Sequence, residues 1–212
     1  MTVRFMDVFT EWASTYDDTV TGHDPEYKEV FRRYEEILDT VATKAVSPVV
    51  EFGAGTGNLT QRLLERHDHV LAVEPSPEMR DILINKIPEL PVQDGHFLSF
   101  TADDAKSFVS TYAFHHLTDE EKGEAVDLMA KILPHDGKIV YADTMFVSEE
   151  ARLQTIAEAK AQGFNGLAED LEREFYPLIP VMEQIFASRG FDVSFTQYNH
   201  FVWLVEAEKM GE

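Results

Sequence analysis

The chain has no cysteine among its 212 residues. Disulfides, thiolate zinc sites and a cysteine nucleophile are therefore excluded together. Nor does any run approach the roughly 20 apolar residues that a membrane span needs. The opening segment, MTVRFMDVFTEWAS, lacks the apolar core of a signal peptide. Positive charge is scarce: 18 Lys and Arg stand against 39 Asp and Glu, for a formal net charge of -21. Such a surface repels phosphates, which argues against nucleic acid or an anionic membrane as a partner. No internal repeat, low-complexity tract or linker interrupts the chain. We expect one cytoplasmic domain of ordinary globular composition, long enough to bury a substantial core.

What is present alternates. From Tyr27 the residues Tyr27, Val30, Phe31, Tyr34, Ile37, Leu38 and Val41 recur at helical spacing, predicting a helix from 27 to about 42 or 43. A short apolar run, PVVEF, follows, then GAGTGN and a helical stretch from 58 to about 66. HVLAVE reads as a second strand. SPEMRDILINKI reads as a helix with Ser76 as N-cap and Pro77 in its first position. A weaker strand is expected near 90–93 and a fourth in SFVSTYAF. Thr118 and Glu121 have capping-box spacing ahead of another helix. KIVYADTMF gives a fifth strand, and 149–175 reads as helical with a break near Gly163 to Gly166. A helix at 179–188 precedes two closing strands joined around Asn199. This order predicts an α/β fold: an open, mostly parallel, seven-stranded Rossmann-like sheet with an antiparallel edge hairpin and helices on both faces.

The sharpest local signal is VVEFGAGTGN, a strand entering a helix through Gly53, Ala54, Gly55 and Gly57. Glycines there allow positive φ and close backbone approach to a ligand. The dinucleotide fingerprint G-x-G-x-x-G would need glycine at 58, where this chain has Asn58. A smaller anion, such as a carboxylate, suits the loop better than a pyrophosphate. The second strand runs into Glu74 and Pro75, where an acid can accept from both hydroxyls of a ribose. A glycine turn alone or a strand-end Glu alone is weak evidence. The two on consecutive strands are much stronger.

These segments resemble class I S-adenosylmethionine-dependent methyltransferases. VVEFGAGTGNLT is similar to their first motif and LAVEPSPEM to their second, while FVSTYAFHHLTDEEK and LPHDGKIVYAD are similar to their fourth and fifth strand regions. The flanks FTEWASTYDDTVTG, DLEREFYP and FVWLVEAEK extend the likeness nearly end to end, toward the YrrT-like family of methyltransferases from Gram-positive bacteria. The resemblance implies S-adenosylmethionine as cofactor, S-adenosylhomocysteine as product, and a fold, but no particular acceptor. It implies that Gly53, Gly55 and Gly57 cradle the methionine end and that Glu51 orients its amino group, with Thr111 nearby. Glu74 would bind the ribose, and Tyr16 would close over the cofactor. The family commonly has Gly-Asp where this chain reads VQDGHF. His96 followed by Phe97 would then meet the adenine, with His96 accepting from its amino group. The same resemblance divides the chain into an N-terminal helical cap (1–45), a cofactor-binding core (46–145), a helical excursion beside the acceptor pocket (146–177), and a last helix with the closing hairpin (178–212).

His115 and His116 follow the fourth strand, and one is a candidate general base. Tyr16, Tyr112 and Phe114 are candidates to face the sulfonium through cation–π contact, worth about 0.5–2 kcal/mol. His67, His69, His135 and His200 are scattered without metal-ligand spacing, and we expect no metal site. No G-x-S-x-G turn exists for a serine nucleophile. The Asn/Asp-Pro-Pro-aromatic segment of many base or glutamine methyltransferases is replaced by STYAFHHL. The expectation is methyl transfer to a small-molecule acceptor by a monomer or homodimer. A non-catalytic module that binds the cofactor or its product, and a nicotinamide-dependent oxidoreductase, remain open beside it.

Overall fold

A computed structural model describes residues 24–211; Trp12 and Tyr16 lie outside them. In chain order the elements are α1 (Tyr34–Lys44), β1 (Val49–Phe52), α2 (Asn58–Leu64), β2 (Val70–Val73), α3 (Pro77–Lys86), β3 (Val92–Gln93) and β4 (Ser107–Thr111). A single 3-10 turn (Phe114–His116) follows, then α4 (Asp119–Ile132), β5 (Lys138–Thr144), α5 (Glu149–Gln162), α6 (Asn165–Arg173), α7 (Ile179–Ala187), β6 (Phe191–Gln197) and β7 (Val202–Lys209). The strands form one sheet in the order β3-β2-β1-β4-β5-β7-β6. Pairing is parallel from β3 through β5, and β7 runs antiparallel to both β5 and β6. The expected sheet and closing hairpin are both present.

Alternation along the strands explains why helices cover both faces. Val49, Val109, Val140, Ala142 and Leu204 point to one side, where they pack with Ile37, Leu38, Leu63, Leu83, Ile156 and Leu171 of α1, α2, α3, α5 and α6. Their sequence neighbours Val50, Phe108, Ile139, Tyr141 and Val205 point to the other, against Val126, Met129, Met182 and Phe186 of α4 and α7. All four residues of β1 are buried, as a central strand of a doubly covered parallel sheet requires. The helix-start signals work as expected. Ser76 Oγ accepts from Met79 N with Pro77 in the first turn, and Thr118 and Glu121 complete a capping box.

The first helix departs from its periodicity. Residues 27–33 form turns, and α1 starts only at Tyr34 after Arg33, whose φ of 68° is left-handed. Asn199 supplies the physical reason. Its Nδ2 donates to the carbonyls of Val30 (3.1 Å) and Arg32 (2.8 Å), and its Oδ1 accepts from the N–H groups of Phe201 and Val202. One buried amide thus fastens the approach to α1 onto the hairpin turn and satisfies backbone groups without a continuous helix. Val30 and Tyr34 still face inward, so the apolar spacing marks the buried side correctly. Among the described residues, no helix is long and apolar enough to cross a membrane.

Candidate cofactor and acceptor site

The carboxyl ends of β1, β2, β4 and β5 bring the candidate residues together. Leaving β1, the chain passes Gly53, Gly55 and Gly57 at φ values of 63°, 56° and 94°. Backbone hydrogen bonds from Gly53 and Ala54 to the carbonyl of Val73 pin the loop to β2. The two later glycines are required for different reasons. A Cβ on Gly57 would come within 2.5 Å of Leu83 Cδ1, so this glycine lets α2 approach α3. Among the described residues, a Cβ on Gly55 would meet nothing nearer than 3.9 Å. That side of the loop is open to a ligand. The following α2 has only seven residues, so the loop's own N–H groups and the neighbouring carboxylates dominate its chemistry.

Two carboxylates flank the loop. Glu74 is only 5% exposed. It accepts from Gly55 N (2.9 Å) and Ser76 N (2.8 Å), one bond to each oxygen. Two of its roughly four acceptor positions remain for a ligand's hydroxyls. Burial raises its pKa, with the two backbone bonds opposing. Arg80 donates to the carbonyls of Glu74 and Pro75 and pairs with the exposed Asp94, fixing the turn from outside. Glu51 is 1% exposed, and Thr60 Oγ1 donates to it at 2.6 Å. Burial, opposed by Thr60 and reinforced by nearby Glu74, pushes its pKa up to about 8. A cation bound there would favour the ionised form.

His96, which the family resemblance sets at the adenine, has one ring nitrogen engaged within its own loop. Its backbone pairs with Ser99, and Leu98 N approaches His96 Nδ1 at 3.3 Å. With Nδ1 accepting, the proton of the neutral ring sits on Nε2, which donates. His96 can therefore face a ring nitrogen but not accept from an amino group. Burial lowers its pKa. The Phe97 ring is turned into the core between Phe52 and Phe114, so only its backbone remains for a ligand. Phe114 is likewise core.

After half-buried Thr111 at the end of β4, Tyr112 adopts a positive φ of 53°, which is uncommon for an aromatic residue. Its ring packs beside Phe31 and Tyr34, and its buried hydroxyl has no hydrogen-bond partner among the described residues. The chain then turns through His115 and His116. Asp143, at the end of β5 and 1% exposed, accepts from His115 Nδ1 (2.7 Å), His115 N (2.9 Å) and Thr144 N (2.8 Å). Burial alone would lower the His115 pKa, but Asp143 outweighs it and the pKa rises. His116 Nδ1 lies 3.1 Å from Glu174 Oε2. Burial and the adjacent His115 together lower the His116 pKa despite Glu174.

A buried lysine holds this corner. Lys122 Nζ donates to the carbonyls of Leu117 (2.5 Å) and Phe175 (2.7 Å), and Phe175 N donates to the carbonyl of His115. The loop after β4 and the loop after α6 are thereby locked together. Asp143, Glu174 and Lys122 were not singled out from sequence. Asp143 was within reach, because Ala142 pairs with Thr111 across β4 and β5. Glu174, 58 residues from His116, left no local signal. A separate cleft of about 700 Å³ lies at the opposite, amino-terminal ends of β1 to β3, rimmed by Asp68, Glu89, Asp103 and Asp104. None of the predicted site residues lines it.

Comparison with known proteins agrees with this geometry. Residues 49–137 match the methyltransferase domain family. An uncharacterized methyltransferase of Exiguobacterium sibiricum is 95% identical over 212 residues, covering all of both chains. One from Bacillus pumilus is 53% identical, covering 97% of this chain and 98% of its own. Among solved structures, a magnesium protoporphyrin IX methyltransferase of Synechocystis with bound S-adenosylhomocysteine aligns over 95% of this chain and 98% of its own, with TM-score 0.72 and 15% identity. An N-methyltransferase of Bradyrhizobium japonicum, also solved with S-adenosylhomocysteine, aligns over 96% and 97% with TM-score 0.69 and 15% identity. At that identity the structural matches speak for the fold, while the sequence relatives carry the family. The chain belongs to the methyltransferase family of these relatives, and its fold is that of methyltransferases solved with S-adenosylhomocysteine.

Proposed function

We propose that the protein transfers a methyl group from S-adenosylmethionine to a small-molecule acceptor in the cytoplasm, acting as a monomer or homodimer. The finer likeness to the YrrT-like family belongs to the same reading. The observation that carries it is the pairing of an open glycine loop with two buried carboxylates. Among the described residues nothing crowds Gly55, and Glu74 is bonded to its N–H. Glu51 has a hydroxyl partner but no basic group hydrogen-bonded to it among the described residues. An ammonium, a carboxylate and a pair of ribose hydroxyls are the groups this arrangement complements.

In this reading Gly53, Ala54, Gly55 and Gly57 hold the methionine carboxylate. Glu51 and Thr111 take its ammonium, Glu74 and Pro75 the ribose side, and His96 with the Phe97 backbone the adenine, while Tyr16 covers the cofactor. When bound, the cofactor supplies an electrophilic methyl on a sulfonium. The chain's task is then alignment, exclusion of water and management of the acceptor's proton. His115 and His116 are the catalytic residues, at the polar end of β4. The acidic surface supports a small acceptor over nucleic acid. The domain reading of residues 1–45 and 146–177 as walls of the acceptor pocket is part of the proposal. It is supported by ligands binding outside the carboxyl ends of strands in open α/β sheets.

The test is a methyl-transfer screen of metabolite pools with methyl-labelled cofactor. We expect label to enter a low-molecular-weight acceptor, and His115→Ala to reduce that transfer while cofactor binding persists. Label found only in nucleic acid or protein, or tight NAD binding without response to S-adenosylmethionine, would overturn the reading.

A further inference from the structure

We infer that His115, His116 and Glu174 form a binding site for a divalent transition-metal ion, with Asp143 as the outer partner that orients His115. Each of the three offers one ligand atom, and these atoms lie within 4.8 Å of one another. The His115 and Glu174 side chains are 11% and 6% exposed, so the cluster is not an accident of an acidic surface. Its donors are chemically complete. His115 commits Nδ1 to Asp143, which leaves Nε2 as the free acceptor nitrogen. This carboxylate–imidazole relay is the outer-shell arrangement typical of metal-bound histidine. His116 Nδ1 and Glu174 Oε2, 3.1 Å apart, already have nearly the spacing of neighbouring ligands around an ion with bonds of about 2.0–2.2 Å.

The backbone is organised for the task without any ion. Both histidines sit on one 3-10 turn. The His115 N–H is bound by Asp143, its carbonyl by Phe175 N, and Lys122 bridges Leu117 and Phe175. Glu174 is thus carried on the loop that is tied directly to the histidine turn. Two imidazoles and one carboxylate suit ions such as Zn²⁺, Fe²⁺ or Co²⁺ over Mg²⁺ or Ca²⁺, which prefer all-oxygen shells. Three protein ligands leave positions open, as in reactive rather than purely structural sites.

The role of the ion rests on the methyl-transfer reading, but its binding does not. An acceptor whose O–H, N–H or S–H heteroatom occupies an open position would lose its proton to water more readily. The freed lone pair then forms the bond to the methyl carbon as the carbon–sulfonium bond breaks, leaving a neutral thioether. With the ion on Nε2, His115 serves as a ligand and the metal manages the proton.

The chelator-stripped full chain should be titrated with Co²⁺, followed by visible absorption and calorimetry, with Zn²⁺ as competitor. We expect one equivalent bound with the ligand-field bands of a low-coordinate nitrogen and oxygen site, displaced by Zn²⁺. Asp143→Asn should weaken it by roughly 10–100-fold, as outer-shell changes do, and His116→Asn or Glu174→Gln by more. Circular dichroism confirms folding of each variant, and either ligand variant suffices if the other does not fold. Absence of a saturable spectrum, or a site insensitive to both ligand variants, overturns the inference. Parallel titration with S-adenosylmethionine separates the outcomes: cofactor binding without cobalt binding refutes only the metal site, and cobalt binding without cofactor binding refutes only the proposed function.

Discussion

Two ends of the same sheet edge bury carboxylates in contrasting ways. Beyond β1 and β2, Glu51 and Glu74 are met by a hydroxyl and by backbone N–H groups. Beyond β4 and β5, Asp143 and Glu174 are each met by an imidazole. The first pair has no cationic side chain hydrogen-bonded to its carboxylates among the described residues, and both pKa values are raised, chiefly by burial. The Glu174 pKa is instead lowered, because His116, with His115 and Arg173 adding to it, more than offsets its burial. A carboxylate kept out of water without a positive partner is costly to ionise and is relieved by a cationic or hydroxylated ligand. A carboxylate paired to an imidazole sets the orientation and proton affinity of that ring. In the proposed function, one region is completed from outside and the other acts on what arrives.

The largest effect tests the open side of the first region. Gly55→Val should abolish cofactor binding in calorimetry, because its branched side chain fills the ligand's space. Gly55→Ala separates occupancy from the strain of φ 56°, since among the described residues its Cβ meets nothing nearer than 3.9 Å. Full binding by Gly55→Val would move the cofactor elsewhere. Next, Glu74→Ala should weaken binding by about 1.5–3 kcal/mol, the range for hydrogen bonds to a charged group, or about ten- to a hundred-fold. An unchanged dissociation constant would reduce Glu74 to a brace for Gly55.

Glu51 sharpens the contrast through pH. Its folded pKa, about 8, lies above the usual unfolded value, so the folded cofactor-free protein holds the extra proton. This group's contribution to stability is complete below the unfolded pKa and is lost as pH rises through about 8. Glu51→Gln should therefore raise the melting temperature of the cofactor-free protein progressively from pH 5 to 9. Cofactor binding to the unmutated protein near pH 7 should release a proton, seen by calorimetry in buffers of different ionisation enthalpy. Equal heats after correction for the other titrating groups, using Glu51→Gln as reference, would detach Glu51 from the ammonium.

The smallest expected effect is at His96. Acid should weaken cofactor binding below the ordinary histidine range, because burial lowers this pKa and protonation of Nδ1 breaks the bond from Leu98. His96→Asp can still accept from Leu98 and can also accept from an amino group. It should bind at least as well, without that pH dependence. Normal binding by His96→Ala at every pH would make His96 a bystander.

Legibility in sequence followed locality. The neighbourhood of the glycine triplet and Glu74 is legible because strand, loop and helix are consecutive, so spacing reports geometry, whereas Glu51 enters only through the family resemblance. The fold was readable because period-2 strands and period-3.6 helices alternate without interruption. The start of α1 was misread because Asn199, more than 160 residues away, takes the carbonyls before it. His96 was identified by position, but its tautomer depends on Leu98 N, which residue type alone does not specify. His115 and His116 stood out as a pair. Their carboxylate partners come from β5 and the loop after α6, so only the assembled sheet shows what the rings are tied to.

The place of β7 bears on how the chain is made. It follows β6 in sequence yet lies between β5 and β6 in the sheet. While the ribosome has delivered the chain only as far as β6, β5 has a bare edge with seven residues of strand to offer. The native partner of β6 has yet to appear. The parallel strands β1 to β5 and every residue tied to the histidine corner come earlier in the chain, so both halves of the site can assemble while the outer edge of β5 is still bare. Exposed strand edges invite pairing with other chains. In this protein the period of greatest aggregation risk ends only when Val202–Lys209 clears the exit tunnel and slots into the gap.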